Sequence, residues 1–111
     1  MLQYVERFQD LEVYKVARQL AKEIFELSKR FPKEEMYSLT DQIRRASRSI
    51  GAQIAEAWGK RNYIKHFVSK LTDSDSEQLE TQHWLGTARD CGYITDPEAK
   101  NFLTHCQSVG K

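Results

Sequence analysis

Glycine and proline are scarce, with five and two among 111 residues, far too few for the many turns of an all-β fold. No run of 18 apolar residues occurs, which excludes a membrane-spanning helix. Neither sign of charge dominates: seventeen basic and sixteen acidic residues leave a formal net charge of +1, so the chain is no wholesale polycation. Only two cysteines are present, Cys91 and Cys106, and they form no CxxC pair. They read as reduced thiols in the cytoplasm rather than as a disulfide framework. The start, Met1-Leu2-Gln3-Tyr4-Val5-Glu6, has neither the basic nor the apolar stretch of a secretory signal. No glycine-rich phosphate loop and no GxSxG elbow is present, so no cofactor and no catalytic activity is expected. What remains is 40% hydrophobic and 30% charged, a balance that supports one folded domain over residues 1–111.

The periodicity is helical throughout. A first helix is expected over about residues 10–31, capped by Asp10 and ended before Pro32. Val13, Val16, Ala17, Leu20, Ile24, Leu27 and Phe31 recur at three- and four-residue steps, with Tyr14, Ala21, Phe25 and Ser28 beside them. This arc is wider than the stripe of about 100° that one core face needs. A second helix is expected over 39–60, with Ser38 as cap and Asp41 completing a weak capping box. Leu39, Ile43, Ala46, Ile50, Ile54 and Ala57 form its stripe, and Gly51, Ala55 and Gly59 a smooth line beside it. Gly51 costs a helix interior about 1 kcal/mol relative to alanine, which a close helix contact there would explain.

A third helix is expected over 63–91, capped by Asn62, with Ile64, Phe67, Val68, Leu71, Leu79 and Leu85 on its apolar side. Ser74, Asp75, Gln78 and Gln82 fall on that same stripe, which predicts either a bend or a solvated cavity. Gly92 suits the residue after a helix. Asp96-Pro97-Glu98 then starts a fourth helix over 97–109, with Asp96 as cap and Ala99, Phe102, Leu103, Cys106 and Val109 apolar. Only Gly110 stops it before Lys111, so the ordered region is expected to extend further. Four amphipathic helices with short connections predict an all-α, antiparallel up-and-down four-helix bundle.

Several motifs are weak on inspection. Glu80-x-x-His83 matches half of a di-metal carboxylate site, but the second Glu-x-x-His is missing, so no metal is expected. Asp73-Ser74-Asp75-Ser76-Glu77 looks like the start of a calcium loop, yet Gln78 and Trp84 stand where glycine and glutamate are required. Cys91 and His83 are eight positions apart, about two turns of helix, too far to form a nucleophile–base pair within it.

The distribution of charge says more than its total. Residues 44–70 hold seven basic residues and one acidic, while 1–43 carry net −1 and 71–111 net −4. Arg44, Arg45, Arg48, Lys60 and Arg61 therefore form the candidate phosphate-binding set, because guanidinium binds phosphate bidentately. The competing reading pairs them with acidic groups of the third or fourth helix or of another subunit. Trp58, Tyr63, His66 and Phe67 lie near this set. Aromatics between arginines stack on unpaired bases, although at helical spacing they more often belong to a core or an interface.

Five stretches together resemble one family. They are Phe8-Gln9-Asp10-Leu11-Glu12-Val13-Tyr14, Phe31 through Ala46, Ser49 through Arg61, Glu80-Thr81-Gln82 and Cys91-Gly92-Tyr93-Ile94. In this order they resemble the small four-helix-bundle proteins of the 23S rRNA intervening-sequence family, which includes the accessory variability determinant of diversity-generating retroelements. The family often has proline where Gly51 stands, and glycine where Ala57 stands. The resemblance implies a ring-shaped homopentamer without established activity, and, from the retroelement member, a nucleic-acid-binding accessory role. Arg44-Arg45 and Lys60-Arg61 are the matching basic positions. The broad apolar arc of the first helix independently predicts a homo-oligomer, with Tyr14, Ala21, Phe25, Gly51, Ala55 and Trp58 as its interface. Two functions follow as expectations: RNA or DNA binding through the basic set, or a structural scaffold with those arginines locked between subunits.

Overall fold

The computed structural model describes residues 5–109. The first four residues of the chain and the stop expected at Gly110 lie outside the described residues. Four helices follow one another: α1 (Glu12–Ser28), α2 (Asp41–Gly59), α3 (Ile64–Asp90) and α4 (Asp96–Val109). Each packs on the next, and α4 returns to α1, which gives the expected antiparallel up-and-down bundle.

The helix starts depart from the sequence expectations. Asp10 does not cap α1: residues Phe8–Asp10 make a separate 3-10 turn, Asp10 pairs with Arg7, and α1 begins after Leu11 with no side-chain cap. Ser38 does not cap α2 either. The chain is already helical from Lys33, passing through a 3-10 turn and a wider π-type turn (Met36–Thr40) into α2, and the Ser38 hydroxyl donates to Glu35 Oε1 at 2.7 Å. Asn62 is likewise no cap, since α3 starts after Tyr63 without a side-chain bond. At α4 the cap is Thr95 rather than Asp96. The Thr95 amide donates to Glu98 Oε1 at 2.9 Å, and the Glu98 amide donates to Thr95 Oγ1 at 3.2 Å, a reciprocal capping box. Gly92 behaves as expected, at φ 77°, with Tyr93 N–H reaching back to the Ala88 carbonyl.

The core draws on all four helices. Leu20, Ile24, Ile43, Ile50, Leu85 and Cys106 are fully buried. Each large aliphatic side chain contributes about 1.5–3 kcal/mol by leaving water. The whole expected stripe of α2 is inside. On α1, Ala17, Leu20, Ile24 and Leu27 are inside, whereas Val13 and Val16 stay exposed.

The expected apolar side of α3 is largely wrong. Ile64, Val68, Leu71 and Leu79 are exposed, Phe67 is half-buried, and of that set only Leu85 is in the core. The inward stripe is Ser74, Gln78, Thr81, Leu85 and Ala88. The helix does not break at its polar middle. Instead the buried polar groups find partners. Ser74 Oγ donates to the Ile50 carbonyl at 3.1 Å, Thr81 Oγ1 to the Glu77 carbonyl at 2.8 Å, and Gln82 Nε2 to Gln78 Oε1 at 2.6 Å. Ser74, Asp75 and Gln78 also face a cleft of about 380 Å³ shared with Val13, Ile54, Leu71 and Val109. Helix lengths explain that cleft. The 27 residues of α3 span about 40 Å and the 14 of α4 about 21 Å, so α4 covers only part of α3, and its last described residue, Val109, stands at the cleft beside Leu71, Ser74 and Asp75.

Candidate nucleic-acid interface

Small residues build a groove between α1 and α2. Ala17 and Ala21 face Gly51 and Ala52 along its floor, and Tyr14 and Phe25 stand at its ends. Arg18, Lys22 and Arg48 complete the lining of a space of about 480 Å³. The close helix contact expected at Gly51 exists, since a Cβ there would meet Tyr14 Cε1 at 3.7 Å and Ala17 Cβ at 3.9 Å. Those distances are ordinary contacts, so the glycine is not a steric requirement.

Phe25 organises the cations. The Arg44 guanidinium carbon lies 4.7 Å from its ring centre, that of Arg48 5.3 Å, and Lys29 Nζ 4.9 Å. Three positive groups around one ring repel each other, and the ring face offsets part of that repulsion. Arg44 is held further by donating from Nε to Ser28 Oγ at 2.7 Å, while that hydroxyl donates to the Phe25 carbonyl at 2.8 Å. At the other end Arg18 donates to the Tyr14 hydroxyl at 3.0 Å. Lys29 has Glu26 as its partner. Among the described residues no carboxylate forms an ion pair with Arg18, Lys22, Arg44 or Arg48. The groove is therefore a shallow basic trough with aromatic ends, suited chemically to an anion that also offers a flat or apolar surface.

The five basic residues expected to act together separate. Arg44 and Arg48 share the Phe25 ring, and of the two only Arg48 lines the groove. Arg45, one position and about 100° away, lies toward α3. There burial and the neighbouring Glu80 raise the carboxyl pKa of Glu77, and the Arg45 charge partly opposes that rise. Lys60 and Arg61 lie beyond the end of α2, and Arg61 stacks on Trp58 with its guanidinium carbon 4.2 Å from the ring centre. Of the residues expected at an oligomer interface, Tyr14, Ala21, Phe25 and Gly51 line the groove, while Ala55 and Trp58 are half-buried further along α2. One surface thus carries members of both expected sets.

Sequence reading missed Arg18 and Lys22. They sit four apart on the polar arc of α1, a spacing that places both on one helix face, but the near-neutral first third of the chain hid them. Among the described residues, no group of three or more His, Cys, Asp or Glu is placed to hold a metal ion, and no helix is long and apolar enough to cross a membrane. Cys91 is exposed and Cys106 buried, and both are free thiols.

Comparison with known proteins agrees with this architecture. A crystal structure of a protein of unknown function from the S23 ribosomal protein family of Bacteroides thetaiotaomicron VPI-5482 is similar, with TM-score 0.79, 27% identity and 88% coverage of each chain. No curated protein matches. The family model of the 23S rRNA-intervening sequence protein matches residues 9–111. By that match, over nearly its whole length, the chain belongs to the 23S rRNA-intervening sequence protein family.

Proposed function

We propose that this protein is a non-enzymatic, cytoplasmic, homo-oligomeric accessory protein that binds RNA through the α1–α2 groove. The observation that carries the reading is four cations, Arg18, Lys22, Arg44 and Arg48, gathered from two helices with no carboxylate partner among the described residues. A surface of unpaired like charge is stabilised by a polyanion, and guanidinium groups suit its phosphates. Four phosphate contacts on single-stranded RNA give a salt slope of about −2.8, or a loss of about 50-fold in affinity between 50 and 200 mM salt. Fluorescence anisotropy with a labelled single-stranded RNA tests this. The double variant Lys22→Ala, Arg48→Ala should flatten the slope by about 1.4, and Arg45→Ala should leave it nearly unchanged. Absent or salt-independent binding would remove the proposal.

A scaffold role is the second reading, favoured by the apolar side chains left outside the core: Val13, Val16, Ile64, Val68, Leu71 and Leu79. A pentameric ring is the assembly that the family resemblance implies. If the groove is a subunit contact, the Lys22→Ala, Arg48→Ala variant changes the oligomer mass and not RNA affinity. Sedimentation equilibrium separates the two, and a lone 13.0 kDa species at micromolar concentration would contradict assembly altogether.

A further inference from the structure

Beyond the groove, a second and chemically different surface occupies the end of the bundle where α2 passes into α3. No Asp or Glu occurs from residue 57 to 72, whereas Lys60, Arg61, Lys65 and Lys70 all fall there. Lys70 pairs with Glu56 and Asp73, and among the described residues the other three cations have no ion-pair partner. The same tip exposes its aromatics. Tyr63 is 64% exposed and meets the exposed His66 edge-to-face with ring centres 6.3 Å apart, and the half-buried Trp58 carries Arg61 on its ring. These rings are outside the core, so the packing explanation for aromatics at helical spacing does not apply to Tyr63 and His66. Tyr63 does not cap α3 through its side chain. Its backbone amide donates to the Lys60 carbonyl at 2.8 Å, and its own carbonyl accepts from the Phe67 amide at 2.9 Å, so the phenol ring itself is left to the surface.

We infer that the α2–α3 tip is a stacking platform for unpaired nucleobases, with Tyr63 and the Arg61–Trp58 pair as the flat surfaces and Lys60 and Lys65 neutralising the adjoining phosphates. This rests on the RNA-binding reading and specifies it: the substrate is single-stranded or looped, because bases inside a duplex present no free face. Base–aromatic stacking is tolerant of sequence, which fits a site with no buried polar group to read base edges. Arg48 is eleven residues, about 16 Å of helix rise, before Gly59 at the end of α2, and Arg61 lies past that end, so groove and tip are two contacts on one strand rather than one site.

The test is competition between a single-stranded oligouridylate and an RNA duplex of equal length, measured on the full chain and on the variants Tyr63→Ala and Arg61→Ala. Neither substitution removes a buried side chain. Wild type should prefer the single strand. Tyr63→Ala should weaken single-strand binding about fivefold or more and change duplex binding less than about twofold. Arg61→Ala should weaken both, and the single strand more. Equal losses on both nucleic acids would reduce the tip to a phosphate contact and overturn the stacking proposal. Unchanged binding by both tip variants, with loss in Lys22→Ala, Arg48→Ala, would overturn the tip proposal and leave the groove reading standing. A change in oligomer mass without a change in nucleic-acid preference would make the tip a subunit contact and also overturn it. Failure of wild type to bind either RNA would overturn both readings.

Discussion

Replacing Gly51 by alanine tests how closely α1 and α2 approach. Gly51 is buried in the interior of α2, where glycine is disfavoured by about 1 kcal/mol against alanine. The added methyl would lie 3.7 Å from Tyr14 Cε1 and 3.9 Å from both Tyr14 Cδ1 and Ala17 Cβ, all ordinary contact distances. It would also leave water, which is worth about 0.8 kcal/mol for a group of that size. Against these stands a small cost for filling a space that is already lined. The net expectation is stabilisation by about 1–2 kcal/mol, or a rise of about 4–8 °C in Tm. Urea denaturation followed by circular dichroism at one fixed protein concentration measures it, since assembly would otherwise couple to stability. RNA affinity should change less than twofold, because the methyl sits beneath the Tyr14 ring and leaves the cations in place. Destabilisation of about 1 kcal/mol or more would refute the reasoning, and would mean that the helices need to come closer than described.

Three further outcomes follow from the fold. Leu85→Ala should cost about 2–5 kcal/mol, whereas Leu79→Ala, 54% exposed on the same helix, should cost little, and denaturant midpoints of the two compare the faces of α3 directly. The carboxyl pKa of Glu98 is held down to about 2, first by its hydrogen bond from Arg30 and then by the Thr95 amide. Because the folded value lies below the ordinary one, the stabilisation is present above about pH 4.5 and is lost as pH falls toward 2. The gap in urea midpoint between wild type and Glu98→Gln should therefore narrow over that window, and a constant gap would contradict the pairing. Burial pushes the Cys106 thiol up to about 12, so a thiol reagent at neutral pH should label Cys91 in the native protein and Cys106 only after unfolding.

The fold was legible where helix period and burial agree. The α2 stripe Leu39, Ile43, Ala46, Ile50, Ile54 and Ala57 recurs at three- and four-residue steps, and each member is inside. The α3 face was not legible, for two reasons. Ser74, Gln78 and Thr81 are small or flexible enough to be buried once their hydrogen bonds are met nearby, which no hydrophobic scale registers. Ile64 and Val68 look like core residues, but they lie where α3 outruns α4, and Leu71 opens onto the cleft at Val109, the last described residue of α4. Helix starts were misplaced because Asp10 and Ser38 found other partners, Arg7 and Glu35. At the groove, adjacency in sequence misled: Arg44 and Arg45 point apart, while Arg18 and Lys22, more than twenty residues earlier, arrive beside Arg48 only when the helices pack.

Amide chemical-shift mapping with a short single-stranded RNA addresses the groove most directly. Perturbation concentrated at Lys22, Arg48, Gly51 and Ala52, fading as salt rises, is the predicted result. No perturbation, or one centred on Leu79 and the α4 side of the bundle, would contradict the assignment of the α1–α2 groove as the RNA-binding surface.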